Sequence, residues 1–486
     1  MSHHDETIVA IATPPGRGGL GVVRLSGGQA LEIATGILRL PKTALEPRQA
    51  TLAEFCDPST GRVLDQVLAS FFPGPHSYTG EDVLEVSCHG SPVILAFLVE
   101  LCLARGARPA EPGEFTLRAF LNGRMDLTQA EAIRDLIESR TLFQARVAAG
   151  QMEGAVSQRL KPHKEALVEL IARLEAGIDF AEDDVPVSGW EEIAAAVDAI
   201  QRDLSRLVET YELGKIVREG LTLAIVGRPN VGKSSLFNRL LNQERAIVTA
   251  MPGTTRDLIS ETASLDGIPL RLVDTAGIRE AHDEAERLGV AKSLQAIADS
   301  SLRLFVVDAS EGWTELDEQL WAKVLPLGSL TVALNKTDLP ARLNRHELAA
   351  RLIHGEKALP AATAFEGTLS HTVVGVEAPG ATAVVEVSAL TGHGIEDLKQ
   401  ALLSIAAPAR ETAEPGEIIT NLRHQQLIQT ALAALGRAHH ATASRVHHEM
   451  LLLDLYEALH ALDLITGATT AEDVLGVIFS TFCIGK

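Results

Sequence analysis

A chain of 486 residues exceeds what one hydrophobic core normally serves, and none of its apolar runs reaches the ~18–20 residues that span a bilayer, so several domains and no membrane span are expected. A formal net charge of −21 argues against non-specific binding of nucleic acid, which is driven by neutralising phosphates; an RNA partner would need a local basic patch or another subunit. Four scattered cysteines, Cys56, Cys88, Cys102 and Cys483, contain no CxxC pair, which fits a reducing cytoplasm and excludes a disulfide framework or a zinc ribbon.

The opening MSHHDETIVAIATPP has no basic stretch followed by an apolar one and does not read as a secretory signal. Residues 6 to about 122 alternate short β-rich runs (Thr7–Ala12, Gly21–Leu25, Val83–Ser87) with Gly/Pro turns. One helix-like stretch, Val93–Ala104, interrupts them, and the zone reads as an α+β domain. From about Asp126 to Val217 apolar residues recur at helical spacing, as in Ala166–Leu174 and Ile193–Leu207. Residues 218 to about 405 alternate strand, glycine loop and helix in the manner of a doubly wound α/β domain. Beyond Pro415 the pattern is helical again: Ile418–Leu435, Met450–Leu464 and Ala471–Phe482.

The expected class is therefore an α/β multidomain protein with domains at 1–122, 123–217, 218–405 and 406–486. The third is inserted into one helical domain built from the second and fourth; two separate helical domains are the alternative. The segment Pro340–Val385, rich in Gly, Ala and Thr, is long for its place and suggests a loop or an extra hairpin. His439, His440, His447 and His448 lack the i, i+4 pairing of a metal site.

The chemistry is concentrated in the third zone. The strand Leu221–Val226 runs into Gly227-Arg228-Pro229-Asn230-Val231-Gly232-Lys233-Ser234, a GxxxxGKS loop, and then a helix expected at Ser235–Leu241. Glycines let backbone amides curl around phosphate oxygens, Lys233 neutralises the β- and γ-phosphates, and the Ser234 hydroxyl is suited to Mg²⁺. A second apolar strand delivers Asp274-Thr275-Ala276-Gly277, with Asp274 aimed at the Mg²⁺ shell and the Gly277 amide at the γ-phosphate. Between them lies Gly253-Thr254-Thr255, where Thr255 is the candidate switch threonine on the metal. A hairpin follows, Ile259–Leu265 and Ile268–Val273 about a type I′ turn at Asp266-Gly267.

Asn335-Lys336-Thr337-Asp338 follows the strand Leu330–Leu334. A carboxylate at Asp338 accepts both the N1–H and the 2-amino hydrogens of guanine, where adenine would leave a buried charge unpaired. Ser388-Ala389-Leu390 completes the base loop. In this order, each after a strand, these motifs specify a GTP site. One part is missing: the glutamine that follows DxxG in Ras-type enzymes is replaced by Ile278. The water-orienting group must come from elsewhere, and the run Arg279–Arg287 offers several carboxylates.

Further blocks extend over nearly the whole chain: ATPPGRGGLGVVRLSG, YTGEDVLEVSCHG, PGEFTLRAFLNGRMDLTQAEAI, IVTAMPGTTRD, DTAGIRE and the terminal Cys483-Ile484-Gly485-Lys486. Together they resemble the MnmE (TrmE) family of bacterial tRNA-modification GTPases, among the TrmE-Era-EngA-like P-loop GTPases. The resemblance implies a folate-binding and dimerising N-terminal domain, a helical domain and an inserted G domain. It implies GTP contacts along Asn230–Ser235 (Val231, Ser235 among them) and along Thr249, Ala250, Met251, Pro252 and Gly253–Thr255. It also implies K⁺ in place of an arginine finger, held by Asn230 and the carbonyls around Thr249, Met251 and Thr254 between facing G domains; Asn230 taken alone reads as a loop cap.

The same resemblance implies Glu286 as the water-orienting catalytic residue. It assigns 5,10-methylene- or 5-formyl-tetrahydrofolate to Arg24, Glu85, Arg124 and Lys486, with Cys483 in support; the position of Arg124 is often lysine in the family. The terminal tetrapeptide fits a prenylation box poorly at Gly485 and Lys486. The implied activity adds an aminomethyl or carboxymethylaminomethyl group to C5 of the wobble uridine of certain tRNAs. The implied partners are a second copy and a FAD-dependent, MnmG-like subunit in a heterotetramer. Two alternatives remain open: a regulatory GTPase of ribosome assembly or of a membrane, and a folate-binding regulator. The first predicts a KH module or a basic amphipathic helix. Neither is seen, since Gly16-Arg17-Gly18-Gly19 matches GxxG only within a Pro14-Pro15 turn.

Overall fold

Two seven-stranded sheets organise the chain, and each lies in its own packing unit in the computed structural model, which describes residues 6–41, 45–179, 189–243, 262–273, 294–354, 373–378, 381–407, 418–469 and 472–485. One unit comprises Met1–Ile137, Ala148–Arg206 and Arg423–Lys486; the other comprises Glu138–Val147 and Leu207–Leu422. No helix among the described residues is long and apolar enough to cross a membrane.

In the first unit the strands β1 (Ile8–Ile11), β2 (Gly18–Ser26), β3 (Leu38–Arg39), β4 (Ala50–Cys56), β5 (Val63–Phe72), β6 (Val83–Gly90) and β7 (Arg108–Pro109) run in the order β3-β4-β5-β6-β2-β1-β7. All pairs are antiparallel except β1 with β7. Strand alternation decides the core: Val67, Ala69 and Phe71 of β5 point inward, joining Val23, Leu25, Leu84 and Val86. The zone holds three helices of eight residues or more, Ala30–Ile37, Pro92–Leu103 and Glu114–Leu121, where the sequence pattern suggested one. The two missed helices have only eight residues each and begin beside glycines, too short for a periodic signal.

Helices Leu127–Glu138, Ala155–Asp179, Trp190–Glu209, Leu422–Ala443, His448–Thr466 and Glu472–Ser480 supply most of the rest of this unit. The expected helix at Ile418 begins instead at Leu422, because Ile418 and Ile419 are buried without helical structure and the Ile419 amide donates to Thr210 Oγ1 at 3.1 Å. Residues far apart in sequence are fastened by a buried ion cluster. The Arg423 guanidinium donates to both Glu131 oxygens (3.0 and 2.9 Å), His424 Nε2 meets Glu131 Oε2 at 2.7 Å, and Arg423 also donates to the Leu464 and Ile465 carbonyls. Burial by itself would raise the Glu131 carboxyl, but His424 and Arg423 override it and bring it down to about 2.

The second unit carries strands β8 (Leu221–Val226), β9 (Thr262–Leu265), β10 (Ile268–Val273), β11 (Leu302–Asp308), β12 (Leu330–Asn335), β13 (Val373–Ala378) and β14 (Ala381–Glu386), in the order β13-β14-β12-β11-β8-β10-β9. The five inner strands are parallel; β9 and β13 are antiparallel edges. Buried apolar clusters cover both faces, as a parallel sheet demands. The turn between β9 and β10 has φ of 50° at Asp266 and 88° at Gly267, the two left-handed residues of a type I′ turn. The long segment before β14 provides a helix, Arg345–His354, and the edge strand β13. Gln144 donates to the Val217 and Arg218 carbonyls and Thr141 to Gly267, which is why Glu138–Val147 packs in this unit.

Replacing Glu131 with alanine leaves the Arg423 guanidinium without its counter-charge and the His424 ring without its hydrogen-bond partner, and is expected to destabilise this unit by about 3–5 kcal/mol. Because the folded carboxyl lies at about 2 and the unfolded one near 4.3, its contribution is present above about pH 4.3 and is lost as pH falls towards 2. Urea unfolding at pH 7 and pH 3 checks this: the difference between wild type and Glu131→Ala should shrink at the lower pH.

Candidate guanine-nucleotide site

Parallel order places the carboxyl ends of β8, β10, β11, β12 and β14 along one edge, where loops rather than strands present side chains. From Val226 the chain turns through Gly227 and Asn230, the latter left-handed at φ 66°, which asparagine tolerates better than most residues. Gly232 (φ 94°) has no room for a side chain, since a Cβ there would collide with the Asn335 amide nitrogen. The helix Lys233–Gln243 starts at once, two residues earlier than expected, so its free amides and positive end face the loop. Lys233 Nζ donates to the Gly227 and Arg228 carbonyls at 2.7 and 2.8 Å, which holds the ammonium against the loop backbone. Ser234 and Ser235 are exposed in the first turn, and Val231 is buried beneath.

Asn335 ties the phosphate loop to the base loop. Its Nδ2 donates to the Val231 carbonyl at 2.8 Å, and its Oδ1 accepts the Ala389 amide at 3.1 Å, with the side chain fully enclosed. Asp338 is exposed, and one of its oxygens accepts the Ser388 hydroxyl at 2.5 Å. Ser388 also takes the Thr391 amide, which closes the loop that exposes Leu390. A fixed carboxylate beside an ordered turn is what reading a paired donor edge requires.

Three further residues complete this frame. Asp308 ends β11 and binds Lys336 Nζ at 2.6 Å; burial would raise its carboxyl, but Lys336 and Ser310 hold it below the usual range. Arg239 donates to the Ala389 carbonyl at 3.0 Å and to that of Leu390. Arg228 meets buried Asp317 at 3.2 Å and pairs with Glu311, joining the phosphate loop to the helix Glu315–Val324. Asp308 had a legible signal, an acid at the carboxyl end of a parallel strand. Arg239 and Arg228 had none, because their partners are backbone oxygens and distant acids.

Thr249, Ala250, Met251, Pro252, Gly253, Thr254, Thr255, Asp274, Thr275, Ala276, Gly277, Ile278 and Glu286 lie outside the described residues, as does Lys486.

The first unit holds a second constellation. Arg24 and Glu85 are register partners across β2 and β6, and Arg24 meets Glu85 Oε1 at 2.9 and 2.7 Å. The guanidinium lies 5.5 Å from the Tyr78 ring centre and 5.7 Å from that of Phe115, and it donates to the Gly485 carbonyl at 3.4 Å. The terminal segment is thereby brought beside Arg24 and Glu85. Arg124 is exposed, its stem near Gly80. Cys483 is exposed as well, whereas burial pushes the Cys88 thiol to about 11 and that of Cys102 to about 12.

Comparison with known proteins shows the family to which the chain belongs. The family model described as the MnmE helical domain matches residues 127–483, and the one described as the GTP-binding protein TrmE N-terminus matches residues 7–124. The chain belongs to the MnmE family of tRNA modification GTPases. It is 55% identical over 485 residues to the tRNA modification GTPase MnmE of Koribacter versatilis, with 99% of each chain covered. It is 43% identical over 482 residues to the MnmE of Aquifex aeolicus, covering 99% of this chain and 100% of that one. The MnmE of Acetivibrio thermocellus is 38% identical over 486 residues, with both chains covered fully. As a member of the MnmE family the chain is a GTP-hydrolysing enzyme with an N-terminal α+β domain, a helical domain and a P-loop G domain.

Substituting Asp338 with asparagine turns one acceptor into a donor. That donor opposes the 2-amino group of guanine but suits a base with an oxygen in its place, while the amide oxygen still accepts N1–H. The expected outcome is a loss of GTP affinity of about a hundredfold with a gain for xanthosine triphosphate, measured by fluorescent-nucleotide titration.

Proposed function

We propose that GTP hydrolysis by this chain drives, together with a FAD-dependent partner subunit, the addition of an aminomethyl or carboxymethylaminomethyl group to C5 of the wobble uridine in certain tRNAs in the cytoplasm. The observation that carries the reading is the pair of hydrogen bonds made by Asn335, which ties the phosphate loop to the base loop.

In this reading Asp338 accepts the paired hydrogens of guanine while the Ser388 hydroxyl keeps the carboxylate in place. The amides of Asn230–Ser235 surround the phosphates, and Lys233 exchanges its two carbonyl acceptors for phosphate oxygens. The exposed Ser234 hydroxyl, with Thr255 and Asp274, would hold Mg²⁺, which would neutralise charge on the β- and γ-phosphates. K⁺ would offset charge building between those phosphates; the left-handed, exposed Asn230 would hold it, together with the carbonyls of Thr249, Met251 and Thr254 and the G domain of a second copy. Glu286 orients the attacking water where Ile278 cannot.

Arg24 and Glu85, with Arg124 and Lys486, hold the folate that supplies the one-carbon unit. The Glu85 carboxylate suits a pterin's donor edge, and the Tyr78 and Phe115 rings pack against the Arg24 guanidinium. Cys483 supports the site from the terminal segment. The acidic charge of the chain accords with the partner providing much of the RNA-binding surface.

Glu286→Ala should abolish hydrolysis while GTP still binds, and the wild type should turn over faster in K⁺ than in Na⁺. Unchanged single-turnover hydrolysis in the variant, or equal rates in the two salts, would remove that part of the mechanism. Mass spectrometry of wobble uridines in tRNA from a strain lacking the gene tests the whole; normal modification there contradicts it.

A further inference from the structure

The terminal segment does not reach Arg24 unaided. Its carbonyl at Cys483 accepts the Gly113 amide at 3.4 Å, Ile484 forms a β-bridge with Pro112, and Gly485 (φ 93°) is so close that a Cβ would lie 2.5 Å from the Ile11 carbonyl. These contacts seat residues 483–485 on the sheet. What fixes the approach is Arg134, on the helix Leu127–Glu138. Its guanidinium donates to Thr481 Oγ1 and stacks at 5.8 Å on the ring of Phe482. Among the described residues its ion-pair partner, Asp135, is 3.8 Å away and its buried Nε has no hydrogen-bond partner, so the close acceptor of this half-buried cation is the terminal segment itself.

One turn earlier on the same helix stands Glu131, the centre of the buried cluster. Arg423, which Glu131 holds, is the first residue of the chain to rejoin this unit after the G domain. It also binds the carbonyls of Leu464 and Ile465 at the end of the helix that leads on to Glu472–Ser480 and the terminal segment.

We propose that Arg134 is a positioning residue that seats the terminal segment 481–485 on the N-terminal sheet, and that Glu131, one turn away, makes this same helix the link between that segment and the chain's return from the G domain. The inference rests on the folate reading above only for its catalytic consequence. The grip itself is a matter of contacts within one unit. Residues three apart on a helix share a face and move together, so a displacement at Arg423 and a displacement at Thr481 are borne by one rigid element.

Hydrogen-exchange mass spectrometry of the full chain tests the grip. In Arg134→Ala the peptides covering Gly113 and residues 481–485 should exchange about tenfold faster, the loss expected for one charged hydrogen bond, with the rest of the N-terminal sheet unchanged. Arg134→Lys, which retains a donor, should recover most of the protection. Glu131→Gln should loosen the same peptides and those around Leu464; should that variant fail to fold, the Arg134 pair decides alone. Unchanged exchange at Gly113 and 481–485 in Arg134→Ala overturns the proposal.

In the complex with the FAD-dependent partner, Arg134→Ala should raise the KM for methylene-tetrahydrofolate about tenfold and leave basal GTP hydrolysis as it was. Faster exchange with an unchanged KM overturns the positioning role. If the wild-type complex does not modify tRNA at all, the functional reading fails, while the exchange result still decides the grip.

Discussion

The cluster of Glu131, Arg423 and His424 is the constraint on which the arrangement of the first unit depends. It is a buried carboxylate gripped by the bidentate Arg423 guanidinium and the His424 ring, and such a group is stable only while its partners are present. Its members come from opposite sides of the G domain in sequence. A helical unit built from two distant stretches could pack in several registers on apolar contacts alone. The fixed geometry of guanidinium on carboxylate selects one of them.

The second unit solves a related problem with neutral groups. Reading a base and holding phosphates are tasks for different loops, and Asn335 joins them through one amide, donating to one loop and accepting from the other. Around it, Arg239, Arg228 and the pair of Asp308 with Lys336 anchor the loops from behind.

Much of this was readable in the sequence because phosphate and base loops are local: GxxxxGKS and NKxD each carry their chemistry within eight residues, and each follows an apolar strand. The I′ turn at Asp266-Gly267 was readable for the same reason. What could not be read was non-local. The helices Ala30–Ile37 and Glu114–Leu121 are too short for periodicity to show. Ile418 and Ile419 look helical because their apolar character is satisfied by burial beside Thr210, not by a helical face. Arg24 and Glu85 are separated by 61 residues, and only the pairing of β2 with β6 makes them neighbours. Arg134 gave no sign at all, since its acceptor lies 347 residues further along the chain.

The bond between Thr210 and Ile419 has a consequence for the order in which the molecule assembles. Glu131 and Arg423 are 292 residues apart, and closing so long a loop costs about 5 kcal/mol of chain entropy, plus a constant, before any contact forms. Thr210 and Ile419 belong to the second unit and lie near its entry and exit, and their 3.1 Å bond brings those two points together. Once that unit has folded with Glu138–Val147 in it, the loop that Glu131 must close is short. A chain emerging from the ribosome therefore gains by folding its G domain first, while the acid of the helical unit waits in water, solvated and uncommitted, for the arginine still to be synthesised.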